Sequence, residues 1–343
     1  MIRLETDVVT VHTAHPFVIA RGGSSEWRTV WVRLIDDDGV EGWGEAAPSR
    51  FYGETSDTVL AALERLRPII ESSDAADIEQ IEAAMVGALR FNAAARSAVS
   101  AALHDMQGKR LGVPLWKLWG LTPSASPRSS FTIAIAADDD TLRARVREAV
   151  TAGYPILKVK LGRDHDRRII QLVRDEAPDA ILRVDANAAW SPKQTLSMAP
   201  LLQELGVEFI EQPLAPQDLD GLRFVRERCN LPIVADESCL VASDVAKLAG
   251  VVDGVNLKLA KCGSLREAVR MIHAARAHGM LVMAGCMIET SLGITAAAHL
   301  APLLDCVDLD GAALLRHDPF IGATITHGVV TLPTAPGLGV TRR

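Results

Sequence analysis

Pro155-Ile-Leu-Lys-Val-Lys-Leu161 reads as a β-strand, because its apolar and β-branched residues alternate with period two and so place Lys158 and Lys160 on one face. Two parallel ammonium groups repel each other. Directed inward, they need negative charge opposite them, or one of them must lose its proton easily. Directed outward, they are the lysines that many sheets carry on an edge strand against aggregation. The segments that follow decide between these readings.

From Ser129 onward, strand and helix patterns alternate. Strand signals fall at about 131–135, 156–161, 180–184, 208–210, 231–235, 254–257, 281–284 and 306–309, with helical spacing between them. Such alternation predicts a parallel sheet, and eight units in about 180 residues predict a closed barrel rather than an open doubly wound sheet. No Gly-x-Gly-x-x-Gly opens the first unit, which counts against a dinucleotide fold. Ahead of the barrel, residues 2–13, 27–36 and 39–46 alternate as strands, and Asp36-Asp-Asp-Gly39 supplies the turn of a hairpin. Three Ala- and Leu-rich helices are expected at about 54–72, 75–89 and 92–109. Two polar, glycine-containing segments, about 20–26 and 48–54, are expected as loops of the kind that cover a ligand.

At 343 residues and 48% hydrophobic content, the chain can bury a large core. A net charge of −7 supplies no broad basic field, which argues against nucleic acid and anionic membranes as partners and for a small-molecule substrate. Five cysteines without a C-x-x-C pair read as reduced thiols rather than a zinc site. Neither a secretory leader nor an apolar run long enough to span a bilayer is evident, so a cytoplasmic protein is expected.

Strands buried on both faces should be apolar, yet charged residues stand at the carboxyl ends of successive strands. Lys158 and Lys160 lie on the second; Asp185, Glu211 and Asp236 end the third, fourth and fifth. Lys258 ends the sixth, Glu289 follows the seventh, and Asp308 and Asp310 close the eighth. Most successive members are roughly 22 to 31 residues apart, close to one barrel unit, so they converge on one mouth. A lone acidic residue after a strand is often a helix cap. Three carboxylates on adjacent strands instead repel unless a cation joins them, and an all-oxygen set suits magnesium. Asn187 either supports that site or caps a helix. The second and sixth strands face each other across a barrel, so Lys160 and Lys258 approach a central ligand from opposite sides. A carboxylate substrate can lose its α-proton to a lysine when magnesium stabilises the enediolate, with Lys158 and the metal lowering the pKa of Lys160. Return of a proton from the far side then inverts the stereocentre.

Several blocks resemble the enolase superfamily in its muconate-lactonizing subgroup: Gly42-Trp-Gly-Glu-Ala-Ala-Pro48, the helix through Ala98, Asp105, Gly108 and Lys109, Lys158-Val-Lys160, Asp185-Ala-Asn187, Glu211-Gln-Pro213, Asp236-Glu-Ser238 and Asn256-Leu-Lys258. The resemblance covers nearly the whole chain. It implies an α/β fold, a modified TIM barrel (β/α)7β, with an α+β capping domain formed by N-terminal and C-terminal segments: cap 1–124, barrel 125–315, and 316–343 returning to the cap through Pro336-Gly-Leu-Gly339. It also implies Mg2+ on Asp185, Glu211 and Asp236, with Lys160 and Lys258 as the acid/base pair. Within the subgroup, Gly285-Cys-Met-Ile-Glu-Thr290 and Asp308-Leu-Asp310 look most like the dipeptide epimerases, whose D-x-D carboxylates hold the substrate's α-ammonium. The expected activity is Mg-dependent epimerisation of the C-terminal residue of an L,L-dipeptide. The alternatives are o-succinylbenzoate synthesis or N-acylamino acid racemisation, and, outside catalysis, an inert magnesium- and ligand-binding protein. Thr132 and Glu289 join the mouth as binding or supporting residues. From the cap, Arg21, Phe51 and Tyr52 are candidates for reading the substrate side chain: Arg21 an acidic one, the aromatic pair an apolar one. By ungapped count Gly22, rather than Arg21, takes the place of the arginine of Ala-Glu epimerases. Members of the subgroup often assemble as homo-oligomers.

Overall fold

The computed structural model describes residues 2–343. It opens with a three-stranded antiparallel sheet of β1 (Ile2–Ile19), β2 (Gly22–Asp36) and β3 (Glu41–Ala46), joined in that order. Helices α1 (Ser56–Glu71), α2 (Ile78–Ala88) and α3 (Ala93–Leu111) follow. The segment expected as a loop at 20–26 is mostly strand: Phe17 pairs with Ser24, Val18 with Gly23 and Ile19 with Gly22, leaving Ala20 and Arg21 as the turn. Main-chain pairing carries the hairpin on where side-chain alternation has stopped. Gly23 permits it, since a Cβ there would lie 2.2 Å from the Phe17 carbonyl oxygen. The 48–54 segment is irregular apart from one 3-10 turn at Arg50–Tyr52.

Eight parallel strands follow in sequence order: β4 (Phe131–Ile133), β5 (Ile156–Lys160), β6 (Ile181–Asp185), β7 (Val207–Glu211), β8 (Ile233–Ala235), β9 (Gly254–Leu257), β10 (Leu281–Gly285) and β11 (Cys306–Asp308). Helices cover the outside between most pairs, and their apolar faces join the strands in one large core. The sheet edges approach each other where Ser130 donates its N–H to the Val307 carbonyl (3.1 Å) and Leu309 donates to Ser129 Oγ (2.9 Å). Inside the barrel Phe209, Val234, Met283 and Cys306 pack as an apolar layer, and Arg183 lies against it with its guanidinium over the Phe209 ring. Among the described residues no helix is long and apolar enough to cross a membrane.

The helix that joins cap to barrel is α3. Every residue from Ala94 to Met106 is buried, which explains a sequence rich in Ala and Ser: one side faces β3 and the other the turn at Leu259–Cys262. The approach to β3 is closest at Gly42 and Gly44, where a Cβ would sit 2.0 Å from the carbonyl oxygens of Ala102 and Ala98. Buried Asp105 accepts from the N–H groups of Trp43 (3.0 Å) and Leu338 (2.8 Å) and from Lys109 Nζ (2.7 Å), so one carboxylate ties β3 and the C-terminal segment to α3. Phe320 from that segment packs edge-on against Trp31 at 4.8 Å. Gly44→Ala therefore forces strand and helix apart. It should cost about 1–3 kcal/mol, read as a lowered urea midpoint, whereas Gly53→Ala, at an open position of positive φ, should cost less.

Candidate active site

Strand register brings the carboxylates together. Lys160 pairs with Asp185, Asp185 with Glu211, and Glu211 with Val234, two residues before Asp236. The inward positions of β6, β7 and β8 therefore end at one level, and one oxygen from each of Asp185, Glu211 and Asp236 lies within 4.8 Å of the others. All three residues are at most 1% exposed. Lys160 Nζ donates to Asp185 Oδ2 and Lys258 Nζ to Asp236 Oδ2, each at 2.7 Å. The two lysines come from β5 and the end of β9, four strands apart in an eight-stranded barrel.

Lys158, 1% exposed, lines the same cavity as Lys160 but is the more deeply buried of the two. Its ammonium sits among Glu211 (2.7 Å), Asp308 (2.9 Å) and Asp185 (3.3 Å). Burial works against its charge, but Asp308, Glu211 and Asp185 together hold it well above the usual lysine range. Burial is likewise outweighed at Asp185, which Lys160 and Lys158 hold down to about 2, and at Lys258, which Asp236 raises. At Glu211, burial and the neighbouring Asp185 win, pushing it up to about 7. Four buried lysines (Lys158, Lys160, Lys258, Lys261) thus stand among six buried carboxyl groups (Asp185, Glu211, Asp236, Glu237, Asp308, Asp310).

On the β11 side, Asp308 accepts from Ser130 Oγ (2.8 Å) and Asp310 from the Thr132 N–H (2.6 Å). Asp308 is already paired with Lys158; Asp310 is not, and burial followed by repulsion from Asp308 pushes it up to about 7. Asn187, at φ 47°, donates both its main-chain N–H (2.8 Å) and its side-chain amide (3.2 Å) to Asp185. Glu289 stands behind the cavity wall. Its carboxyl, pushed up to about 7 by burial and by Glu45, accepts from the Met287 N–H. From the cap, Phe51 and Tyr52 meet edge to face at 5.1 Å, and the Tyr52 hydroxyl is held protonated by burial and by Asp236 and Glu237. Arg21 at the hairpin tip donates to the Asn187 carbonyl and to Glu237. A cavity of about 840 Å³ unites Arg21, Phe51, Tyr52, Thr132, Lys158, Lys160, Asn187, Asp236, Lys258, Asp308 and Asp310.

Four supporting residues had no role in the sequence reading. Lys261 donates to both the side chain and the carbonyl of Asp236 and to the Asn256 carbonyl (2.8 Å); Asn256 donates to Glu211 Oε1 (2.8 Å). Gln212, at φ 32°, accepts from the N–H groups of Asp236 (2.8 Å) and Ser238 (3.1 Å). Glu45, reaching from β3, accepts from Thr290 and Gly293 and so fastens the cap to the helix Ser291–Ala298. Lys261 had a signal, three residues beyond Lys258 on the helical turn Leu259–Cys262.

An oxygen-only cluster of three carboxylates between two lysines, at the carboxyl ends of parallel barrel strands and under an α+β cap, defines an enzyme class that stabilises charge on a substrate carboxylate while moving a proton. The chain belongs to the enolase superfamily, in its mandelate racemase / muconate lactonizing branch: residues 3–120 match the "Mandelate racemase / muconate lactonizing enzyme, N-terminal domain" and residues 141–343 the "Enolase C-terminal domain-like" family. It is 41% identical to an L-Ala-D/L-amino acid epimerase of a Maribacter species, over 97% of both chains. It is 40% identical to an L-Ala-D/L-Glu epimerase of Bacteroides thetaiotaomicron, over 95% of this chain and 84% of that one. A dipeptide epimerase from Cytophaga hutchinsonii, solved with Mg and D-Ala-L-Val, superposes with a TM-score of 0.95 at 28% identity, covering 99% of this chain and 95% of that one.

The donor set fits magnesium: only oxygens converge, and Glu211 Oε2 makes no aligned hydrogen bond although Lys158 is near. Glu211→Gln replaces a carboxyl that burial already raises, so it should change stability little without metal. It should also abolish most of the rise in melting temperature that Mg2+ produces in the parent protein, measured by calorimetry over a magnesium titration.

Proposed function

We propose that the protein is a Mg2+-dependent dipeptide epimerase that inverts the α-carbon of the C-terminal residue of an L,L-dipeptide by two-base 1,1-proton transfer. The observation that carries this reading is the placement of two lysines on opposed strands, each hydrogen-bonded to a carboxylate of the same cluster. The names of the relatives support the dipeptide as substrate. Asp185, Glu211 and Asp236 would hold the metal, which when bound supplies positive charge to offset the charge that develops on the substrate carboxylate as the α-proton leaves.

The chain's own groups do the rest. Lys160 and Lys258 approach the α-carbon from opposite faces, one taking the proton as a neutral amine and the other returning one as an ammonium; the roles exchange for the other epimer. Asp310, the D-x-D carboxylate with no lysine partner, receives the substrate's ammonium group, while Asp308 keeps Lys158 in place. A substrate whose amino group is acylated has no ammonium to offer Asp310, which argues against N-acylamino acids and for a free dipeptide. Burial beneath the cap keeps water from the exchanging proton. Five unpaired cysteines support a reducing compartment, the cytoplasm, as its setting.

The test is a dipeptide library incubated in D₂O with Mg2+ and followed by mass spectrometry. The expected result is one deuteron incorporated into L,L-dipeptides, lost on chelation; exchange confined to N-succinyl amino acids would contradict the reading. A second expectation concerns pH. Asp310 must be ionised to hold an ammonium, and its carboxyl is pushed up to about 7, so 1/KM for a dipeptide should fall as the pH drops through that value. Asp310→Asn should raise KM at pH 8 roughly 10- to 100-fold, the cost of a charge-assisted hydrogen bond, and remove that pH dependence.

A further inference from the structure

We propose that Arg21 is a clamp that holds the cap hairpin over the site and does not read substrate charge, so that the inverted residue carries an uncharged, chiefly apolar side chain. This rests on the epimerase reading above and names the substrate class of that site.

Arg21 is one of two residues in the β1–β2 turn, and although its side chain is 34% exposed, both terminal nitrogens and one face of its guanidinium are engaged by the protein. Nη2 donates to Glu237 Oε1 at 2.8 Å, Nη1 donates to the main-chain carbonyl of Asn187, and the group lies 4.1 Å over the ring of Phe51. One side chain thereby joins the hairpin tip to the ends of β6 and β8 and to the 48–54 segment.

Glu237 makes this commitment hard to reverse. Its side chain is 1% exposed, it follows Asp236 directly, and its second oxygen is buried with no hydrogen-bond partner. Its other oxygen takes its hydrogen bond from Arg21. A substrate carboxylate that recruited Arg21 would strip Glu237 of that partner and would itself come to rest against Glu237.

Among the described residues, none of the cap cations that line the cavity is buried. Lys160 and Lys258 are held by Asp185 and Asp236, and Arg28 and Arg50 are exposed at the rim, Arg28 facing Asp57 at 3.8 Å. A basic side chain fares no better. Glu54 is buried but accepts from the Ala94 N–H at the start of α3, and Glu26 is exposed. The wall there includes the apolar Phe17, Ile19, Trp27, Phe51, Ile288 and Leu314, together with the uncharged polar Ser24, Thr29, Ser49 and Tyr52. A side chain projecting outward from an α-carbon held between Lys160 and Lys258 meets that wall, which favours apolar surface.

The test compares kcat/KM for L-Ala-L-Leu, L-Ala-L-Glu and L-Ala-L-Lys in the parent protein and in Arg21→Met, which keeps the apolar stem and removes the charge. The expected parent preference is at least about tenfold for the leucine dipeptide over both charged ones. Arg21→Met should raise KM for all three by a common factor, as the hairpin loosens, while the Glu-to-Leu ratio of kcat/KM stays within about twofold. Arg21→Gln, which keeps a donor for Glu237, should give the same ratio and serves if the methionine variant does not fold. A parent preference for L-Ala-L-Glu, or a selective loss of that substrate of more than about tenfold in either variant, would overturn the clamp and leave the epimerase reading intact. Absence of exchange in every dipeptide would overturn both.

Discussion

Three carboxylates held within 4.8 Å of one another and almost without solvent are the constraint on which the rest of the structure depends. At an effective dielectric of about 20, each pair repels by roughly 3–4 kcal/mol, which an isolated cluster could not sustain. The barrel tolerates it in two ways. Parallel register fixes Asp185, Glu211 and Asp236 at one level through main-chain hydrogen bonds, so their positions do not depend on the side chains attracting each other. Four buried lysines then offset the charge, each by a direct contact: Lys158 with Glu211, Lys160 with Asp185, and Lys258 and Lys261 with Asp236. The same arrangement that makes the cluster bearable places two ammonium groups on opposed strands beside it.

The cap contributes through a few points of close contact. Small residues along α3 and the glycines of β3 let helix and strand approach more closely than side chains would allow, and Asp105 and Glu45 carry the connection on to the C-terminal segment and to the helix after β10. The hairpin tip reaches furthest over the mouth and is secured there by Arg21. Rigid seams at the base and a single clamped tip over the cavity divide stability from access.

Much of this was legible in the sequence because it rests on short-range rules. Alternation gave the barrel strands to within a few residues, and the charged residues at their carboxyl ends stood out against an apolar expectation, which is why Lys160, Asp185, Glu211, Asp236 and Lys258 could be named as a group. The hairpin at 20–26 was illegible because Gly and Ser carry no alternating signal, and pairing there is decided by the partner strand. Glu45, Gln212, Glu237 and Asn256 lay within recognisable motif blocks without a visible role, since each acts on a residue at least 24 positions away. Lys158 shows the same limit: its face was readable, but its place among three carboxylates needed the register of β6, β7 and β11.

The most direct test of the two-lysine geometry is α-proton exchange in single-lysine variants. Lys160→Ala and Lys258→Ala would each be incubated in D₂O with the separate L,L and L,D epimers of one dipeptide, and loss of the α-proton signal followed by NMR. If the lysines serve opposite faces, neither variant interconverts the epimers, and any residual exchange is confined to one epimer in each variant, the opposite one in the other. Interconversion at the parent rate in either variant, or exchange of both epimers by one of them, would contradict the account.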